Sequence, residues 1–177
     1  MEQKLDSEKM LKYLKEQLSR TNYWLSFAEA KNAAIITLNI AIMANIDKLY
    51  QCNYCLERIH LIILAVSTGF SIYSFIPNLF KEEFKRKDTS QKGGHVKLNL
   101  MFYGDIAKLK DVNDYFELTK KLYYKDAEKC REQVDLAEEV LQNSKITVKK
   151  YKISKLAIII DLMGLVICLL NLISTFI

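Results

Sequence analysis

The sequence predicts an all-α membrane protein: a membrane helical bundle of about three transmembrane helices with a helical, coiled-coil-like cytosolic domain. Helix-breaking residues are scarce, because the 177 residues include one proline and five glycines. Charged residues almost vanish from three windows, at 32–46, 59–76 and 156–177, and are frequent elsewhere. Outside these windows apolar residues recur every three or four positions, which is the periodicity of one helix face.

The first element is a predicted cytosolic helix over residues 1–31. Its seam of apolar or small side chains, with spacings of three and four, consists of Leu11, Leu14, Leu18, Thr21, Leu25 and Ala28. This heptad-like pattern favours packing against a helical partner. Because no helix breaker separates it from the first window, we expect the helix to continue into the membrane, with Glu29 and Lys31 near the headgroups.

Residues 32–76 are expected to form a transmembrane hairpin of two spans. A spanning helix needs about 20 mostly apolar residues, because the hydrocarbon layer is roughly 30 Å thick. The window at 59–76 is close to this length, and Pro77 follows it and would end the helix.

The window at 32–46 is the weaker candidate of the hairpin. It is short and contains Asn39 and Asn45, so it spans the bilayer only if flanking residues near Phe27 and Tyr50 extend it. The alternative is a buried core helix of a soluble bundle. Both readings are compatible with the sequence.

Residues 77–155 are expected to form a cytosolic helical domain. It begins with a charged connector at 81–96, which is typical of a solvated loop. Neither glycine nor proline occurs between Gly104 and Gly164, so one helix is predicted from about Asp114 directly into the last window. The predicted seam of this helix is Tyr123, Ala127, Cys130, Val134, Ala137, Leu141, Ser144, Val148 and Tyr151.

The window at 156–177 is long enough to be the C-terminal transmembrane helix. Basic residues set the orientation, because they are retained on the cytoplasmic side. Residues 1–31 hold six lysines and arginines, 47–58 hold two and 77–155 hold eighteen, and none follows Leu156. The N-terminus and residues 77–155 are therefore predicted to be cytoplasmic, with the C-terminus outside.

The four cysteines carry little information. Cys52 and Cys55 form a C-x-x-C in the predicted outer loop, where they could close a disulfide or could be incidental. A single C-x-x-C without a second ligand pair is a weak zinc signal. Cys130 and Cys168 fall on apolar helical positions and are expected to be packing residues.

The sequence offers no support for catalysis. The two histidines, His60 and His95, have no cysteine or carboxylate at ligand spacing around them. No glycine-rich phosphate loop and no serine nucleophile motif occurs. We therefore expect a protein that is not an enzyme and that has no metal and no cofactor.

Polar residues inside the predicted spans are candidates for function. An ionised Asp161 would cost about 2.5 to 3.5 kcal/mol at the bilayer centre, so such residues normally face a bundle interior or water. Asp161, Asn171, Asn39 and Asn45 could line one polar stripe, which suits a leaky oligomer as well as ordinary interhelical hydrogen bonding. Alternatively, Asp161 reaches the headgroups or pairs with Lys155.

The predicted cytosolic domain combines positive charge with aromatic side chains. Residues 77–155 contain eighteen basic and thirteen acidic residues, and five of the ten tyrosines of the chain. Basic groups can bind phosphate and tyrosine rings can stack on a base, which together would hold a nucleotide. The alternative, which composition alone favours, is that the tyrosines are core residues and the lysines serve solubility.

Three stretches of the chain resemble the Pycsar effector transmembrane family. They are WLSFAEAKNAAIITLN at 24–39, NLMFYGDIAKL at 99–109 and LQNSKITVKKYKISKLAIIIDLMGLV at 141–166. The resemblance implies a bacterial anti-phage effector. In such systems a partner cyclase senses infection and makes a cyclic pyrimidine mononucleotide, cCMP or cUMP, and the effector then impairs the inner membrane, which causes abortive infection.

With this resemblance, residues 77–155 are expected to be the sensor domain. The candidate contacts to the cyclic nucleotide are Asn99, Tyr103, Asp105, Lys108, Lys145, Lys149 and Tyr151. The candidates for the gating or membrane-entrance layer are Glu29, Lys31, Asn39, Asp161 and Asn171. The expected partners are the lipid bilayer, further copies of the chain in a homo-oligomer and, through its product, the cyclase, with no nucleic acid. The rival reading is a constitutive helical scaffold that recruits a protein partner and binds no small molecule.

Overall fold

The structure is a computed structural model that describes residues 2–50, 53–76 and 98–176. The described residues form six helices and no strand, which confirms the all-α prediction. The helices are α1 (Glu2–Met43), α2 (Ile46–Leu49), α3 (Tyr54–Tyr73), α4 (Tyr103–Ile106), α5 (Val112–Tyr123) and α6 (Arg131–Phe176). The predicted charged connector at 81–96, Cys52 and His95 lie outside the described residues.

Local sequence signals mark the ends of the shorter helices. Asn53 precedes α3, and its side chain accepts a hydrogen bond from the Leu56 N–H at 3.4 Å. Asp111 precedes α5, and its side chain accepts one from the Asp114 N–H at 2.9 Å. Lys120 and Lys121 occupy the last turn of α5, where positive charge favours the end of the helix dipole.

The chain divides into two compact units. The first unit comprises Met1–Leu25 and Pro77–Val148, and the second comprises Ser26–Ile76 and Lys149–Ile177. Helices α1 and α6 each contribute their first part to the first unit and their second part to the second unit. The continuation of the N-terminal helix past residue 31 is thereby confirmed.

The first unit has an apolar core of the kind found in soluble proteins. Helix α5 is strongly amphipathic and buries Tyr115, Phe116 and Thr119. The hydroxyl of Tyr13 donates a hydrogen bond to the Leu100 carbonyl at 3.0 Å and so ties α1 to the segment before α4. The core residues are Met10, Tyr13, Leu14, Leu100, Ile106, Tyr115, Phe116, Ala127, Ala137, Val140 and Leu141.

The second unit shows the opposite distribution, with polar side chains inside and apolar side chains outside. Its buried polar residues are Asn32, Asn39, His60, Ser67, Thr68, Ser71, Ser74, Ser154 and Asn171. Its exposed apolar residues include Leu38, Ile40, Ile62, Val66, Ile72, Leu162, Met163, Leu165, Val166, Leu169 and Leu170. A large exposed apolar surface marks contact with another apolar phase, and membrane helices pack through small and polar residues.

Two described helices are long and apolar enough to cross a membrane. They are α3, at Tyr54–Tyr73, and α6, within Arg131–Ile173, whose 18-residue apolar windows have mean hydropathies of 1.5 and 2.7. Helix α1 is not among them, since its window carries Asn32 and Asn39 on its buried side. The structure therefore supports two of the predicted spans on length and composition, and the third stays a prediction.

The prediction of one helix starting near Asp114 is wrong. Helix α5 ends at Tyr123, and α6 begins only at Arg131. Ala127, between the two helices, is buried in the same apolar core as Tyr115 and Phe116. The chain therefore turns into the core at this point and does not continue as one helix. Tertiary packing overrides local helix propensity here.

The expectation that Cys130 is a packing residue is also wrong. Cys130 is exposed, because it precedes the first turn of α6, and its N–H donates to Gln133 Oε1 at 3.4 Å. Gln133 is the buried residue of that turn. Cys168 is half-buried and packs against the small apolar cluster of Ile46, Tyr50 and Leu64 in the second unit, which is the predicted role.

Candidate functional site

The turn at 99–108 carries four of the predicted ligand contacts and is organised around the carboxylate of Asp105. Asp105 Oδ2 accepts a hydrogen bond from the Asn99 N–H at 3.1 Å, and Asp105 Oδ1 accepts one from Lys108 Nζ at 2.6 Å. The hydrogen bond from Lys108, followed by that from the Asn99 backbone, lowers the pKa of Asp105. Both carboxylate oxygens are engaged within the turn, so Asp105 holds the loop in place.

Four aromatic rings lie together beside this turn and form what we call the aromatic surface: Tyr23 and Trp24 of α1, and Phe102 and Tyr103. Ring centroids are 5.6 Å apart for Tyr23 and Trp24, 5.8 Å for Trp24 and Tyr103, and 4.8 Å for Phe102 and Tyr103. Tyr23 is 64% exposed, and Trp24 and Phe102 are 40% and 47% exposed. Partial burial raises the pKa of the Tyr103 hydroxyl. Accessible aromatic faces of this kind can stack on a flat ligand.

Two side chains of α1 attach the turn to that helix next to the aromatic surface. Gln17 Nε2 lies 2.8 Å from Met101 Sδ, and Arg20 Nη1 lies 3.3 Å from the same sulfur. A thioether is a weak acceptor, and a guanidinium has five N–H donors. This contact therefore uses little of the hydrogen-bonding capacity of Arg20. Arg20 thus places positive charge at Met101, the residue before Phe102, and Lys108 of the same turn is paired with Asp105.

Lys145 of α6 contacts the end of the same segment. Its Nζ donates a hydrogen bond to the Lys110 carbonyl at 3.1 Å. Burial lowers the pKa of Lys145, and the nearby Asp111 acts in the opposite direction. The structure thus brings Asn99, Tyr103, Asp105 and Lys108 into one turn and places Lys145 at its C-terminal end.

The remaining two predicted ligand contacts, Lys149 and Tyr151, belong to the second unit. There the Tyr151 ring lies under Lys31 Nζ, at 5.5 Å from the ring centroid. Arg20, Trp24 and Phe102 also lie at the turn at 99–108 and are not among the predicted ligand contacts. Trp24 is the first residue of one of the stretches that carry the family resemblance, and this position could have indicated it as a candidate.

The second unit contains a polar layer that includes two of the predicted entrance residues. Lys150 Nζ donates to Glu29 Oε1 at 2.8 Å, and Lys31 makes the cation–π contact with Tyr151. Next to them, Asn32 Nδ2 donates to Ser74 Oγ at 2.8 Å. The Ser154 hydroxyl donates to Asn32 Oδ1 at 2.8 Å. Asn32 therefore links α1 to both α6 and the end of α3.

A second polar layer joins Asn39 and Asp161. Asn39 Nδ2 donates to Asp161 Oδ1 at 3.2 Å and to Ser67 Oγ at 3.1 Å. The Ser67 hydroxyl donates in turn to the Ala157 carbonyl at 3.2 Å. The predicted stripe residues Asn39 and Asp161 are thus in direct contact, whereas Asn171 donates to the Leu49 carbonyl at 3.0 Å.

A cavity of about 380 Å³ adjoins this second layer. Most of its lining is aliphatic, and its polar lining side chains are Asn39, His60 and Asp161. The His60 Nδ1 atom lies 2.8 Å from the Tyr50 hydroxyl. Within residues 2–50, 53–76 and 98–176, no group of three or more histidine, cysteine, aspartate or glutamate side chains could hold a metal ion.

Residues 13–177 match the family model described as the Pycsar effector protein domain. The matched range includes all three stretches that carry the resemblance in the sequence. No curated protein and no solved structure shows a significant match to the chain.

Proposed function

Because the chain belongs to the Pycsar effector protein family, which acts in cyclic-nucleotide-linked anti-phage defence, we propose that it binds a cyclic pyrimidine mononucleotide and then impairs the bacterial inner membrane. The nucleotide is cCMP or cUMP, made by a partner cyclase on infection. Loss of membrane integrity then stops phage production at the cost of the cell, as abortive infection. This family is one of membrane effectors and not a catalytic one.

One observation carries this proposal: α1 is a single helix that holds Trp24 of the aromatic surface and Asn39 of the polar interior. A change in the first unit that rotates or shifts α1 would displace Asn39 as well. Helix α6 offers a second continuous connection, since it holds both Lys145 and Asp161. A ligand moves this equilibrium only by its differential affinity for the two states.

We place the nucleotide at the aromatic surface of the first unit. The pyrimidine would stack on Trp24 or Tyr103, and Arg20 and Lys108 would receive the cyclic phosphate through charge-assisted hydrogen bonds. Asn99 and Asp105 would act mainly by shaping the turn, as their hydrogen bonds indicate. Lys145 would support the end of the segment, and Lys149 and Tyr151 would act in the coupling to the second unit.

In the membrane we propose three spans, with the second half of α1 added to α3 and α6. The apolar exterior and polar interior of the second unit support this arrangement, because Asn32 and Asn39 find partners on the other two helices. The N-terminus and residues 77–155 would face the cytoplasm, and several copies would assemble in the active state.

Calorimetric titration of the detergent-purified full chain with cCMP and with cUMP tests nucleotide binding. We expect saturable heat with one of them, and a loss of about fivefold or more in affinity for Trp24→Ala and for Arg20→Ala, because each removes a stacking or charged contact worth about 1 kcal/mol. Leu122→Ala and Arg131→Ala are matched exposed controls in the first unit and should bind like the parent. No saturable heat with either nucleotide would favour the scaffold reading.

A further inference from the structure

The buried face of α3 forms a ladder of polar side chains. His60, Ser67, Ser71 and Ser74 are buried, and together with Leu64 they follow spacings of four, three, four and three residues. The ladder covers residues 60–74 of α3 and its C-cap, which is fifteen residues and a length of about 20 Å. Serine side chains are common where membrane helices pack, and a histidine, two asparagines and an aspartate join them in this unit.

Helices α1 and α6 complete the ladder from the other sides. Asn32 contacts Ser74 and Ser154, and Asn39 contacts Ser67 and Asp161. We call the hydrogen-bonding groups between His60 and Ser74, with their partners on α1 and α6, the polar seam. It runs inside one chain and does not depend on a second copy.

Several oxygen atoms of the polar seam are buried and accept no hydrogen bond from the described residues. They are Asn39 Oδ1, Thr68 Oγ1 and Ser71 Oγ. A buried polar group without a partner costs free energy, and such groups in proteins are normally satisfied by another group or by water. Ser71 lies between the layers of Ser67 and Ser74, so its hydroxyl can connect them through water or by a small rearrangement.

Asp161 is the carboxyl group of the seam, and it faces the cavity that adjoins the second polar layer. The titratable groups that share this cavity are His60 from α3 and Cys168 from α6, and the lining residues of α1 include none. The Tyr50 hydroxyl lies 2.8 Å from His60 Nδ1. In the described residues the seam contains one carboxylate, and no group of three or more histidine, cysteine, aspartate or glutamate side chains could hold a metal ion there.

We propose that the polar seam conducts protons, with Asp161 as the group that binds and releases them. A proton from one side joins a carboxylate oxygen of Asp161 to form the neutral acid. The same group then passes a proton to the next hydroxyl, water or imidazole of the seam, and the carboxylate forms again. Hydroxyl groups both donate and accept hydrogen bonds, which suits serine side chains to such a relay.

This inference rests on the proposed function, because binding of the nucleotide would start proton conduction through the polar seam. It specifies the lesion as a proton leak within each chain. A wide pore between copies would instead pass solutes of any kind.

Carbodiimide labelling tests the proton-binding group without any nucleotide. Dicyclohexylcarbodiimide adds to protonated carboxyl groups in membranes, and mass spectrometry of the full chain in detergent locates the adduct. We expect labelling of Asp161 that declines as pH rises and is absent in Asp161→Asn. Protection by Na⁺ or K⁺ would reveal a metal-cation site and overturn the proposal, as would an Asp161 that stays unlabelled at all pH values.

Proton flux into liposomes that contain an enclosed pH dye tests conduction. With the activating nucleotide we expect acidification of the lumen while enclosed carboxyfluorescein is retained. In Asp161→Asn and Ser71→Ala the flux should fall to that of protein-free liposomes. Met163→Ala, on the exposed face of the same helix as Asp161, should conduct like the parent.

The outcomes separate the two proposals. Simultaneous loss of dye and protons, with Asp161→Asn unchanged, would overturn the proton seam and leave the proposed function intact. A parent protein that binds neither nucleotide would overturn the proposed function, whereas the labelling of Asp161 still decides the proton-binding site.

Discussion

At the scale of single residues, the structure assigns Asp105 a role that its chemistry alone would not suggest. A carboxylate beside the phosphate site that we propose would repel the ligand, but the oxygens of Asp105 accept hydrogen bonds from Lys108 and from the Asn99 N–H. We expect Asp105→Ala to lower the stability of the first unit by about 1 kcal/mol, since it removes a hydrogen bond and a partly exposed ion pair. Thermal unfolding in detergent measures this, with Asp135→Ala, the exposed partner of Arg131, as the control.

The pH dependence of this effect follows from the lowered pKa of Asp105. The folded-state pKa lies below the unfolded value, so the carboxylate stabilises the fold above the unfolded value and loses this contribution as pH falls through the folded value. The difference between the parent and Asp105→Ala should therefore be constant near neutral pH and shrink in acid. A difference that grows in acid would contradict the assignment.

Gly164 provides a second test at this scale, because it lies where α6 meets α3. A Cβ atom at Gly164 would lie 2.8 Å from His60 Cδ2 and from Nε2. We expect Gly164→Ala to destabilise the second unit by about 1–3 kcal/mol through overpacking. Gly69→Ala is the matched control, since a Cβ atom there meets nothing within 4 Å. Equal stabilities of the two variants would show that α3 and α6 do not pack as described.

Polar residues within apolar windows could be predicted to be functional or interhelical, and the structure does bring Asn39 and Asp161 together. The sequence could not show that Trp24 and Tyr103, which are 79 positions apart by their residue numbers, would stack. That contact depends on how the turn at 99–108 docks on α1. Docking of this kind is a tertiary effect without a local signal.

At the scale of elements, α1 changes character along its length. The predicted seam was partly right, because Leu14, Thr21 and Ala28 are buried. Met10 and Gln17 are fully buried instead of Leu11 and Leu18, which are half-buried, so the buried face lies slightly to one side of the leucines. In the second unit hydropathy does not identify the buried face of the helix, because many apolar side chains are exposed.

The break between α5 and α6 could not be predicted from spacing. The pattern of apolar residues continues through Ala127 without a glycine or proline, and intrinsic propensity therefore favours one helix. The burial of Tyr115 and Phe116 with Ala127 in the first core outweighs that preference. The position of the break between α5 and α6 therefore depends on the tertiary packing of the first unit.

The hydrogen bond from Tyr13 tests the packing of α1 in this unit. We expect Tyr13→Phe to cost about 1 kcal/mol, because the buried Leu100 carbonyl loses its donor. Tyr23→Phe changes an exposed hydroxyl on the same helix and should leave the unfolding midpoint unchanged. A Tyr13→Phe variant as stable as Tyr23→Phe would mean that α1 does not dock on this segment.

At the scale of the whole molecule, two units with opposite interiors share two helices. The first has an apolar core and the second a polar interior with an apolar exterior, which is what contact with water and with lipid would respectively require. The distribution of charge in the sequence predicts that cytosolic and membrane segments alternate along the chain. The number of spans is harder to predict, because Asn39, which weakens the first window, hydrogen-bonds to Ser67 of α3 and Asp161 of α6.

The central claim is that a cyclic pyrimidine nucleotide, bound by the first unit, acts on the membrane through the second. Membrane potential in proteoliposomes, followed with a voltage-sensitive dye before and after addition of cCMP or cUMP, tests it most directly. We predict that the potential collapses with one nucleotide and persists in Trp24→Ala. A potential that survives both nucleotides, or one that collapses equally without them, would contradict the account.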